Sequence, residues 1–109
     1  MTIEVAGAKD FPGTYDLVCL FDCLHDMGDP VGAARHIRER LAPGGTVLVV
    51  EPAAADRPED NHHPLGRLMY AASTMICTPA SLHDEGHLGL GNQNGAARLT
   101  ELLTRAGYA

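Results

Sequence analysis

Two apolar runs of strand length, separated by one well-punctuated helix, constrain this chain more than any other feature. Tyr15-Asp16-Leu17-Val18-Cys19-Leu20-Phe21 is continuously apolar after Asp16, the pattern of a parallel strand with both faces covered. Thr46-Val47-Leu48-Val49-Val50 is its twin, rich in β-branched residues and entered through Pro43-Gly44-Gly45. Between them, Asp29 suits an N-cap and Pro30 the first helical position, where a missing N–H costs nothing. Val31, Ala34, Ile37 and Leu41 then recur at spacings of three and four and give one apolar face. Strand, helix and strand at this spacing predict a βαβ unit with a right-handed crossover.

The remaining segments read less firmly. Residues 2–6 alternate as a short strand would, and residues 52–63 form a polar, proline-bearing connection. Leu65, Leu68, Met69, Ala72 and Ile76 mark a second amphipathic helix, expected to stop near Thr78-Pro79. Asn94 suits the cap of a last helix carrying Leu99, Leu102, Leu103 and Ala106, with Gly107 where a C-terminus wants positive φ. Two firm strands are few for an α/β sheet, because a two-stranded sheet is marginal alone. The chain therefore reads as a piece of a larger α/β fold. Its open strand edges invite a second copy, so a homo-oligomer is expected.

Composition narrows the classes of function. A length of 109 residues fits one domain, and a 45% hydrophobic content supplies a core. Eight Lys+Arg against 14 Asp+Glu leave a net charge of −6. Neither a nucleic acid nor an anionic membrane is an expected partner, since phosphate binding needs clustered cations. No apolar stretch approaches a membrane span, and the start MTIEVAGAKD has no signal-peptide pattern. Three cysteines are odd in number and argue for a reduced, cytoplasmic protein.

Chemistry in open α/β sheets collects beyond the carboxyl ends of the strands. Phe21-Asp22-Cys23-Leu24-His25-Asp26-Met27 follows the first strand and Glu51-Pro52 the second. Adjacent parallel strands bring these ends together, so His25 and Glu51 are expected to meet. A carboxylate that fixes the tautomer of an imidazole makes a general base aimed at a hydroxyl. The bland alternative has His25 capping a turn and Glu51 in solvent. Leu65, Leu68, Met69, Tyr70 and Met75 furnish either plain core or the wall of an apolar pocket. No metal site is expected: Cys19, Cys23 and His25 lack paired spacing, and His83-Asp84-Glu85-Gly86-His87 does not match the H-E-x-x-H order. Gly89-Leu90-Gly91-Asn92-Gln93-Asn94-Gly95 has one residue too many for a dinucleotide loop and follows no strand.

YDLVCLFDCLHDMGDP, a helix, and then LAPGGTVLVVEP resemble the second half of a class I S-adenosylmethionine-dependent methyltransferase. LFDCLHDMGD is most similar to the O-methyltransferases, with Met27 in place of their aromatic. The resemblance implies a partial Rossmann-like sheet that lacks the first two and last two strands. It divides residues 1–109 into a cofactor-side βαβ region (1–51), a variable acceptor-pocket segment (52–93) and the last helix (94–109). It implies S-adenosylmethionine as cofactor, with Ala8, Lys9 and Asp10 at the adenine end and Phe21 and Asp22 at the mouth of the following strand. Where relatives hold the adenine amine with an acid, glycine or alanine stands here, which leaves that contact to backbone or Asp10. His25 falls on the residue that deprotonates a small-molecule hydroxyl acceptor, and Glu51 on the acid bracketing it. The glycine-rich turn and the ribose-binding acid of the family lie outside this sequence, so the resemblance implies an incomplete cofactor site, inactive by itself. The alternative is a noncatalytic remnant that acts through self-association.

Overall fold

The computed structural model describes residues 1–109. Strand β1 (Tyr15–Phe21) pairs in parallel with β2 (Leu41–Val50), and helix α1 (Pro30–Arg40) connects them. The βαβ unit is present. Asp29 caps α1 as its position demands, its carboxylate accepting from the Gly32 amide at 2.8 Å with Pro30 following. The buried side of α1 is Pro30, Ala33, Ala34 and Ile37; Ala34 and Ile37 lie on the expected stripe, while Val31 is half-buried and Leu41 is taken into β2. Strand β2 begins before Thr46 because Leu41 pairs with Tyr15 and Thr46 with Leu17. Residues 42–45 thus loop out opposite Asp16, and Gly44 turns them at φ +79°.

Leu20, Leu24 and Ile37 form the core, with Phe11, Val18, Val47 and Val49 packed around them. That cluster lies on one face of the sheet. On the other, Leu17, Cys19, Phe21, Leu48 and Val50 are exposed, so the expected cover on both faces is corrected to one. An apolar run reports that a strand is apolar, not what covers it. Residues 2–6 form no strand, and the sheet consists of β1 and β2.

A longer helical stretch follows: α2 (Pro64–Ala72), a π turn (Ser73–Cys77) and α3 (Thr78–His83). The expected stop at Pro79 does not occur. A proline ring collides with the carbonyl four residues back, here Met75, and the π turn widens the backbone there. The orientation is also reversed from the apolar stripe. Gly66, Ser73, Cys77 and Ser81 face inward, whereas Leu65, Leu68, Met75, Ile76 and Leu82 are exposed. Backbone hydrogen bonding explains the reversal. Ser81 donates to the Met27 carbonyl at 2.7 Å and accepts from the Gly89 amide at 3.1 Å. Ser73 accepts from the Asn92 amide at 2.9 Å. These loops have no sheet partners, and buried backbone groups must be satisfied by something. Gly66 permits the closest approach, as any Cβ there would sit 1.9 Å from the Asn61 carbonyl oxygen.

Helix α4 (Ala96–Arg105) packs on α1 through buried Leu102 and Ala106. Its N-terminus is satisfied by Asp56, which accepts from the Ala97 amide at 2.8 Å. Asn94, expected in that role, instead donates to the Gly91 carbonyl. At the other end Gly107 has φ +99°, and the amides of Gly107 and Tyr108 reach back to the Thr104 and Leu103 carbonyls. This is the paired closure of a Schellman motif. The Tyr108 hydroxyl then donates to the Ala34 carbonyl at 3.1 Å, anchoring α4 to α1.

Candidate active site

The ends of β1 and β2 build the site. Phe21 pairs with Val50, and the Asp22 amide continues the ladder to the Val50 carbonyl at 2.8 Å. Asp22 then adopts φ +51°, which turns the chain sharply into a single 3-10 turn, Leu24–Asp26. The turn brings His25 across to Glu51, the first residue past β2.

Glu51 is held on both oxygens. Oε1 accepts from the Leu24 amide at 2.8 Å and the Cys23 amide at 3.2 Å, while Oε2 meets His25 Nδ1 in a short hydrogen bond. The carboxylate accepts in these bonds, so Nδ1 carries a proton and donates it to Glu51, which leaves Nε2 as the nitrogen free of that pairing. Both side chains are buried, at 3% and 5% exposure. The reading with Glu51 in solvent and His25 as a turn cap is thereby excluded.

At the other ring nitrogen, Asp26 Oδ1 lies 3.3 Å from Nε2. Asp26 is 43% exposed as a side chain, yet this oxygen is buried and makes no well-aimed hydrogen bond. Cys77, from the π turn, lies beside it. Burial pushes the Cys77 thiol up, and hydrogen bonding to Asp26 acts in the same direction. Cys23 is likewise raised, chiefly by burial. Neither Asp26 nor Cys77 stands out in sequence as a site residue. One adjoins the histidine, and the other is 52 positions away with only the fold to bring it in.

Ala8, Lys9 and Asp10 line a cavity of about 230 Å³ together with Met27, Asp29 and Asp84. Lys9 pairs with Glu85 at 3.2 Å and with Asp29 at 3.5 Å, and the Glu85 carboxylate raises its ammonium above the ordinary lysine value. Phe21 and Asp22 are not part of that lining; both are exposed at the end of β1. Asp22 Oδ1 approaches His25 Nδ1 only to 3.9 Å.

A family description of the methyltransferase domain matches residues 3–109, nearly the whole chain. The chain belongs to that family. No curated protein matches it. Within the methyltransferase domain, the match spans the His25–Glu51 pair, the cavity at residues 7–10 and the helical stretch alike. The chain is thus an α/β methyltransferase domain with a two-stranded parallel sheet.

Proposed function

We propose that this methyltransferase domain moves a methyl group from S-adenosylmethionine to a hydroxyl oxygen of a small-molecule acceptor, with His25 as general base. The observation that carries the reading is the buried His25–Glu51 hydrogen bond, with Glu51 fixed by two backbone amides. S-adenosylmethionine supplies an electrophilic methyl carried on sulfonium. The protein's task is to hold the acceptor in line and take its proton as oxygen attacks. The acceptor proton passes to Nε2, and Glu51 stabilises the resulting imidazolium across Nδ1. Asp26 stands where an acceptor hydroxyl would meet Nε2, and its partly exposed side chain has room to rotate away.

The chain's own residues fit one end of the cofactor. A cavity of about 230 Å³ is smaller than a whole-ligand pocket of roughly 300–1,000 Å³, so it suits an adenine rather than the complete molecule. Asp10 takes the place of an acid at the preceding glycine: its Oδ1 is 2.7 Å from where a Gly7 Cβ would stand. The Asp10 carboxylate is accordingly the acceptor for an adenine amine, with Ala8 and Lys9 alongside. Phe21 and Asp22 contribute at the sulfonium end, nearer the histidine. Calorimetric titration with S-adenosylhomocysteine tests this directly, and binding weakened by Asp10→Ala is the expected result. No heat and no shift in melting temperature would remove the cofactor from the reading.

A second reading draws on another observation, the bare sheet face of Leu17, Cys19, Phe21, Leu48 and Val50. Such a face favours self-association, with the domain acting as a noncatalytic homo-oligomer. Light scattering together with the titration separates the two readings.

A further inference from the structure

Three potential metal donors converge on the far side of the His25 ring. The Nε2 of His25, a carboxylate oxygen of Asp26 and the Sγ of Cys77 all lie within 4.8 Å of one another. We infer that they form a binding site for a zinc-class divalent cation, which occupies the same Nε2 lone pair that a general base requires.

Several features of the geometry point this way. A histidine that ligates metal nearly always donates its other ring N–H to a carboxylate, which fixes the tautomer and raises ligand basicity. Glu51 does this for His25, and its remaining oxygen is itself held by the Cys23 and Leu24 amides. Nε2, the ring nitrogen not engaged by Glu51, faces Asp26 Oδ1 at 3.3 Å. That oxygen is buried with no hydrogen bond of good geometry, and a cation between the two atoms would be coordinated by both. Tetrahedral bonds of 2.0–2.3 Å put donors about 3.3–3.8 Å apart, which the imidazole and carboxylate already satisfy. The Cys77 sulfur, within 4.8 Å of both, closes the set. Thiolate, imidazole and carboxylate are the ligands zinc takes, and a bound cation deprotonates the thiol outright.

The second cluster around this histidine, Asp22, His25 and Glu51, is a weaker candidate. Both oxygens of Glu51 are already engaged, and Nδ1 has no free lone pair.

Binding at Nε2 leaves no base, so the metal-loaded protein is an inhibited methyltransferase. This consequence rests on the reading of His25 given above, while the binding site does not. Cobalt(II) titration of the full chain provides the test, since cobalt reports thiolate ligation as a near-ultraviolet charge-transfer band. One equivalent is expected to produce the band and zinc to displace it. Cys77→Ser should abolish the band, and Asp26→Asn should weaken binding by about tenfold or more. No band in the parent protein, or a band that survives Cys77→Ser, overturns the site. Should Cys77→Ser fail to fold by circular dichroism, Asp26→Asn decides, and a cobalt affinity unchanged in that variant refutes the site. A cobalt band in a chain that gives no heat with S-adenosylhomocysteine defeats the proposed function alone. Methyl transfer without a band defeats the metal site alone.

Discussion

His25 is buried because its two nitrogens have different neighbours, and the asymmetry gives the residue its chemistry. Nδ1 is committed to Glu51, so the ring cannot turn without breaking a bond that two backbone amides also support. His25→Gln is expected to lower methyl transfer by about 10²–10⁴-fold, the range a positioned base supplies, with S-adenosylhomocysteine affinity unchanged by calorimetry. Glu51→Ala has a second effect, because it strands the Cys23 and Leu24 amides in a partly buried turn. Each unsatisfied donor costs about 1–3 kcal/mol, so this variant should lose stability in urea as well as activity. Glu51→Gln keeps an acceptor for the amides and is expected to retain more of the fold. The pairing was legible from sequence because strand-end positions are fixed by the βαβ pattern. The role of Asp26 was not, since an acid beside a histidine gives no sign of which ring nitrogen it faces.

The helical stretch from Pro64 to His83 is organised by its polar residues. Ser81 is fully buried and satisfies backbone groups of two loops, at Met27 and Gly89. Ser81→Ala leaves both without a partner and should cost about 1–3 kcal/mol in chemical denaturation. Helix α4 depends on the opposite end of its geometry. Gly107→Ala places a Cβ at φ +99°, a conformation that costs an L-residue about 1–2 kcal/mol, and should lower the melting temperature. The next tie is electrostatic. Asp84 accepts from the Gly28 amide at 2.9 Å, and that bond holds its carboxyl below the ordinary value of 3.8. A lowered carboxyl contributes stability that is complete above 3.8 and fades as pH falls through its folded value. The gap between the acid melting curves of the parent protein and Asp84→Ala should therefore narrow as pH falls below 3.8, having been full at neutral pH. Helix existence and its caps at Asp29 and Gly107 were readable. Which face of the second helix turns inward was not, because loop amides outcompeted leucines for the interior.

At the scale of the molecule, the sheet has helices on one face and solvent on the other. Exposed Phe21 and Leu17, at 61% and 56%, sit with Leu48 and Val50 on the uncovered side. Exposed apolar surface of this kind marks an interaction site or an aggregation liability. Light scattering should show mass rising with concentration for the parent chain, and Leu17→Lys with Phe21→Lys should shift it toward monomer. A parent chain monomeric at every concentration would contradict this expectation. No helix is long and apolar enough to cross a membrane.

The sequence by itself determined the βαβ unit, the start of α1 and the end of α4. Local chemistry is sufficient there: side-chain period, a capping carboxylate, and a glycine where positive φ is required. It also placed His25 and Glu51 at neighbouring strand ends, because parallel pairing leaves little choice of register. Tertiary structure alone decided the rest. Asp56 displaced Asn94 as the cap of α4, the apolar stripe of α2 turned outward, and Cys77 came to rest beside Asp26. Each depends on which distant backbone groups lack partners, and chain spacing carries no record of that need.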